Sequence, residues 1–160
     1  MKAYIGIDPG TACGWAILGK DGQRKASGVW DLKPRRHEGA GMRFVRVRKY
    51  FMELLDLVEP YAFSRVVVGY EEVARHRGVA AAHVYGGIIA VIQSVCEEQS
   101  VPYMGIPVGT VKRCATGKGN ASKDQMIAAA NKRWNMGTTS HDEADAMWVA
   151  QSLKHSTSQE

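Results

Sequence analysis

Cysteine is scarce in this chain: Cys13, Cys96 and Cys114 are the only three in 160 residues. They are odd in number, far apart and form no CxxC pair. That excludes a zinc ribbon and a disulfide framework, and fits a reducing cytosol. Aromatic residues make up only 8%, and acidic residues are outnumbered by Lys and Arg, 16 to 21. Long hydrophobic runs are missing except between Val79 and Cys96. That stretch contains His83 and Gln93 and is rich in Ala and Gly, so it reads as a buried helix rather than a membrane span. A strand pattern starts at Lys2 with no charged-then-apolar leader, so neither a signal peptide nor a membrane location is expected. No internal repeat is visible, and no linker divides the chain.

What is there is an ordinary soluble composition, 45% apolar and 23% charged, enough for one well-packed domain. Residues 1–155 are expected to form that domain, and the polar tail 156–160 to be disordered. The formal net charge of +5 suits a surface that meets nucleic-acid phosphates. It equally suits plain solubility, and charge alone does not separate the two.

Lys2–Ile7 is apolar almost throughout and predicts a central strand, ended by the turn Asp8-Pro9-Gly10-Thr11. Gly14–Leu18 and Lys25–Asp31 read as further strands joined by the hairpin signal Lys20-Asp21-Gly22-Gln23. These three make an antiparallel meander. Met42–Val58 carries apolar residues at helical spacing, with Arg43, Arg46 and Lys49 elsewhere on its surface. Arg65–Glu71 reads as a fourth strand, Val79–Gln99 as a long helix, Val101–Ile106 as a fifth strand and residues 107–115 as a short helix. Ser122 with Gln125, and Ser140 with Glu143, have capping-box spacing and open helices to about Trp134 and Leu153. The order predicts an α/β protein: a five-stranded mixed sheet, three antiparallel strands then two further ones, flanked by helices.

Carboxylates stand where they are costly. Asp8 ends the first strand, Glu71 ends the fourth, and Asp142 and Asp145 lie three apart on the last helix. If the first and fourth strands are neighbours, Asp8 and Glu71 meet at one sheet edge, and the helical pair closes the cluster. Such acids repel one another unless cations are present. Two divalent ions roughly 4 Å apart answer the repulsion and are a device for in-line phosphodiester hydrolysis. Hard oxygen ligands point to Mg²⁺. Each acid also has a plainer explanation: Asp8 as a turn residue, Asp142 and Asp145 as partners of the helix dipole. Glu72 beside Glu71 leaves open which of the two faces the site. His141 is an auxiliary candidate or simply an exposed residue at a helix start.

The loop Thr116-Gly117-Lys118-Gly119-Asn120-Ala121-Ser122-Lys123 is the second signal. Its glycines let backbone approach a polyanion, and Lys112, Arg113, Lys118 and Lys123 converge around it. The order is not that of a P-loop. Arg75 and Arg77, just after Glu71, form another basic cluster.

Four motifs, in order, resemble the RuvC family of Holliday-junction resolvases in the RNase H-like superfamily. They are Ile5-Gly6-Ile7-Asp8-Pro9-Gly10-Thr11 with Gly14-Trp15-Ala16, then Tyr70-Glu71-Glu72-Val73, then Val111-Lys112 through Lys123, then His141-Asp142-Glu143-Ala144-Asp145-Ala146. The resemblance spans roughly residues 2 to 153. It implies an RNase H-like fold, Asp8, Glu71, Asp142 and Asp145 as catalytic metal-binding acids, and Lys112 and Lys123 as DNA contacts, with Lys118 beside them. It implies two Mg²⁺ per site, with Mn²⁺ substituting, and a cytoplasmic homodimer that nicks opposed strands of a four-way junction. The long small-residue helix is a candidate dimer interface. A branch-migration helicase partner is left unspecified. The motif favours Glu71 over Glu72. Bacterial members typically carry an aromatic shortly after the catalytic Glu; the corresponding residue here is Ala74. Arg75 and Arg77 would substitute charge there and broaden the substrate range to other branched DNA, a divergence also met in phage-borne members. A non-catalytic junction-binding module would keep the basic loops and lose acids. An actin- or sugar-kinase-like ATPase, whose first strand is similar, needs about twice this length.

Overall fold

The computed structural model describes residues 2–61 and 65–158. The elements run β1 (Ala3–Asp8), β2 (Ala12–Gly19), β3 (Arg24–Asp31), α1 (Met42–Leu57), a 3-10 turn (Glu59–Tyr61), β4 (Val66–Glu72), α2 (Val79–Glu98), β5 (Tyr103–Pro107), α3 (Val108–Thr116), α4 (Lys123–Trp134) and α5 (His141–Thr157). The sheet order is β3-β2-β1-β4-β5. β1, β2 and β3 pair antiparallel, while β4 runs parallel to β1 and β5 parallel to β4. This is the expected mixed α/β sheet. β5 begins two residues later than expected, after Pro102, which has no N–H to donate into a ladder.

Alternation along the strands builds two cores. Ile5, Ile7, Val68 and Tyr70 face α1 and α2, packing with Val47, Phe51, Ile88 and Ile92. Tyr4, Ala16 and Leu18 face α3, α4 and α5, packing with Met126, Met147, Trp148 and Leu153. The β2–β3 hairpin turns at Gly22, whose φ of 77° is a left-handed conformation that suits glycine, and the Trp134 indole N–H donates to the Gly22 carbonyl at 2.9 Å.

Three expectations change. The helix 79–98 is buried on one side only: Ile88, Ile89, Ile92, Val95 and Cys96 are buried, while Val79, Ala80, Ala81, His83, Gly86 and Ala90 are exposed. It is long and apolar enough to cross a membrane, but one face packs on the sheet. The last helix continues through Ser156 and Thr157, whose hydroxyls donate to the Ser152 and Leu153 carbonyls at 3.0 Å. Those residues are therefore helical rather than disordered, and Gln159 and Glu160 lie outside the described residues. Ser122 and Gln125 form a reciprocal capping box, but Ser140 caps alone. The Glu143 carboxylate instead accepts from the hydroxyls of Ser27 and Thr138, each at 2.6 Å. That ties the start of α5 to β3. Among the described residues Cys13, Cys96 and Cys114 are all free thiols.

Candidate active site

Asp8 shares a strand face with Tyr4 and Gly6, so it points toward α5. Glu71 shares a face with Val67 and Gly69 and points the same way. The parallel register pairs Ile7 with Tyr70, which brings the next residues, Asp8 and Glu71, side by side at the carboxyl ends of both strands. The third acid arrives on α5, which can lie flush on the sheet because Gly6 and Gly14 present no side chain to it. A methyl group at Gly6 would overlap the Ala146 carbonyl, and one at Gly14 the Asp142 carbonyl.

The result is a half-buried trio. Carboxylate oxygens of Asp8, Glu71 and Asp145 all lie within 4.8 Å of one another. Asp142, one turn earlier, does not join the trio within that distance. Its carboxylate stands 3.6 Å from His141 Nε2. Three residues advance a helix by about 300°, so the two side chains diverge by about 60°. Glu72 faces the opposite side of β4 and leans over Gly105.

Burial and mutual repulsion govern the electrostatics of the trio. Burial, then the charges of Glu71, Asp145 and Asp142, raise the Asp8 carboxyl well above its usual range. Burial and then Glu71 and Asp142 push Asp145 up to about 7, against the opposing pull of Lys112 and Lys123. Glu71 is raised by burial, while Asp8 shares a hydrogen bond with it and Lys112 draws it down. Among the described residues no Lys or Arg forms an ion pair with these three acids. An all-oxygen, electron-rich donor set short of positive charge fits a hard divalent cation.

A cleft of about 350 Å³ opens beside the acids, lined by Glu71, Asp145, Lys112, Lys123 and Ser122. Lys112 comes from α3 and Lys123 opens α4, so both expected lysines stand at the carboxylates. Lys118 and Arg113 do not line the cleft. Lys118 is exposed in the loop after α3, its N–H donating to Thr116 Oγ1 at 3.2 Å. Arg113 donates to Thr110 Oγ1 at 3.4 Å, near Gly109 and Gly119. Arg75 and Arg77 are exposed in the β4–α2 loop.

The sequence did not disclose two residues. Tyr85 on α2 donates its hydroxyl to the Glu71 carbonyl at 2.8 Å and accepts from the Val73 N–H at 3.2 Å, pinning the end of β4. Its one signal was a tyrosine in a helix of small residues. Arg43, read as a surface residue of α1, is partly buried, and its Nε has no hydrogen-bond partner among the described residues.

No protein-family model matches the chain. It is 31% identical over 150 residues to the crossover junction endodeoxyribonuclease RuvC of Anaeromyxobacter sp. (strain Fw109-5), covering 91% of this chain and 69% of that protein. It is 32% identical over 126 residues to RuvC of Nitratidesulfovibrio vulgaris (strain DP4), covering 76% and 71%. The chain belongs to the RuvC family of crossover junction endodeoxyribonucleases. Its fold is that of RuvC from T. thermophilus in complex with Holliday junction substrate, with a TM-score of 0.78 at 23% identity over 99% of this chain and 95% of that one. It also matches the Fowlpox virus resolvase, solved with substrate Holliday junction DNA, with a TM-score of 0.59 at 15% identity over 95% and 98%. Membership in the RuvC family carries divalent-metal dependence, and Asp8, Glu71 and Asp145 are placed to hold the ion.

Proposed function

We propose that this chain resolves four-way DNA junctions by paired phosphodiester hydrolysis, leaving 5′-phosphate and 3′-hydroxyl ends. The observation that carries the reading is the convergence of Asp8, Glu71 and Asp145 within 4.8 Å, in a chain whose relatives are named crossover junction endodeoxyribonucleases. Asp8, Glu71 and Asp145 bind the metal, and Asp142 is the fourth acid, adding its charge at Asp8 and Asp145. Two Mg²⁺ ions are the physiological pair, and Mn²⁺ substitutes. When bound, they supply activation of the attacking water and stabilisation of the leaving 3′ oxygen. Lys112 and Lys123 hold the phosphate over the carboxylates from the adjoining cleft. Lys118, Arg113, Arg75 and Arg77 hold the arms farther out. His141 orients Asp142 across 3.6 Å.

The active species is a homodimer, since two symmetric nicks need two sites. The exposed Val79, Ala80, His83, Gly86 and Ala90 face of α2 supports that interface. The cytoplasm of a bacterial or phage-infected cell is the compartment.

A synthetic mobile junction tests the proposal, beside flap and linear duplex controls, with and without Mg²⁺. Symmetric paired nicks on the junction alone, dependent on Mg²⁺, are expected. Equal cutting of flaps would favour the broader branched-DNA nuclease. Binding without any cleavage would make the chain a junction-binding module. Sedimentation should give a dimer; a monomer that still makes paired nicks would sink the two-fold arrangement.

A further inference from the structure

A second cavity, of about 440 Å³, lies on the other side of the sheet rim from the lysine cleft, between the turn that follows Asp8, the start of α1 and the start of α2. Its size is that of a small-ligand site. Ala81 and Val84 make an apolar wall. His76 and Tyr85 add a pair of rings 4.7 Å apart, tilted by 47°. Arg43 is the one Lys or Arg in this lining. Its Nε is buried with no hydrogen-bond partner, and no ion pair among the described residues includes it. That nitrogen is closed off from solvent, so the terminal N–H groups of the guanidinium are the ones left to meet an acceptor in the cavity.

We propose that this cavity receives one unstacked nucleobase next to the cleaved phosphate, and that Arg43 reads its edge and selects guanine. The inference rests on the reading of the chain as a junction nuclease. A phosphate would satisfy Arg43 but would lie desolvated against alanine, valine and two rings. A base satisfies both surfaces. Its flat face stacks on the His76–Tyr85 pair, as bases do on aromatic side chains. Its edge presents acceptors to the guanidinium fork. Guanine is the base with two adjacent acceptors, O6 and N7, on one edge, which match two parallel N–H groups of arginine. Adenine puts a donor beside its acceptor, and pyrimidines lack the pair. The position suits a neighbour of the scissile bond. The cavity begins at the turn immediately after Asp8, and Tyr85 in its wall is bonded to the Glu71 carbonyl.

The test is a panel of four-way junctions in which each nucleotide flanking the cleaved bond is varied singly, bound in Ca²⁺ and cut in Mg²⁺. One position is expected to favour guanine over the other bases by roughly 5- to 150-fold, the range of one bidentate base contact. A 7-deazaguanine there, lacking the N7 acceptor, should lose most of the preference, and an abasic site all of it. Arg43→Gln should compress the guanine ratio toward one; the ratio is the readout rather than the absolute rate. Base-blind binding and cleavage, or a guanine ratio that survives Arg43→Gln, would overturn the proposal. The modified-base arms use the unaltered protein, so they decide even where the variant does not fold. Failure to cut any junction would overturn the nuclease reading instead, while binding in Ca²⁺ would still report whether the cavity discriminates.

Discussion

Gly6→Ala adds one methyl group in the middle of β1, on the face that meets α5. That methyl overlaps the Ala146 carbonyl and would lie 2.5 Å from the Ala150 amide nitrogen and 2.9 Å from the Ala150 Cβ. The first two obstacles are backbone, so no rotamer change relieves them, and the helix must back away from the sheet. Alanine would otherwise stabilise the strand by about 0.5–1 kcal/mol through the unfolded chain. Overpacking costs about 1–3 kcal/mol, and rigid backbone puts this site at the upper end. The net is about 2 kcal/mol of destabilisation, a Tm lower by about 4–8 °C for a domain of this size. Activity should suffer more. Asp145 precedes Ala146 on the helix that must move, and a misplacement of about 1 Å at a reacting site costs on the order of a hundredfold. Thermal melts, single-turnover junction cleavage well below Tm, and junction binding in Ca²⁺ separate the two effects. Gly39→Ala, whose added methyl would meet no atom within 4 Å, is the control and should change none of these measurements. A Gly6→Ala protein that cleaves at the wild-type rate would refute the claim that the close seat of α5 sets the metal geometry.

Asp8→Asn should cut Mg²⁺-dependent nicking by more than about a hundredfold while retaining junction binding in Ca²⁺. It should also raise the Tm of metal-free protein, because it removes one of three mutually repelling acids; an active Asp8→Asn enzyme would refute the metal role. Glu143→Ala removes the acceptor for Ser27 and Thr138 and should cost about 2 kcal/mol. Cleavage should fall with stability, and Glu143→Gln should be intermediate by thermal melts; a silent Glu143→Ala would show that the tether to β3 does not seat α5. Lys118→Ala should weaken binding to any branched DNA and reduce the slope of log affinity against log salt by about 0.7–0.9. Unchanged affinity in a salt titration would remove this lysine from the contact surface.

Period-two alternation in β1 and β4 is a local property, so the sequence alone placed Asp8 and Glu71 at neighbouring strand ends once the strands were taken as adjacent. The same alternation decides between Glu71 and Glu72, because two successive strand residues face opposite sides. The capping spacing at Ser122 was legible for the same reason: both partners sit within one turn. The identical spacing at Ser140 misled, since Glu143 has two hydroxyl partners, one of them Ser27 on a distant strand, that outcompete its own helix start. Asp142 and Asp145 looked equivalent on spacing, and only the seat of α5, set by Gly6 and Gly14, turns Asp145 toward the strand acids. Arg43 was invisible because a helical pattern counts a charged residue as solvent-facing. It shares a cavity wall with the turn after Asp8 and with α2, elements that a local pattern does not bring beside it.

The carboxylates stand on one face of the sheet, whereas the Arg43 cavity opens on the other. A polynucleotide that engages both must bend sharply over the tips of β1 and β4. Intact duplex DNA is stiff over lengths of about 150 base pairs and resists such a hairpin path, whereas the opened strand at a branch point is free to follow it. Discrimination between linear and branched substrates would then be a matter of bending stiffness, written into the thickness of a single β-sheet.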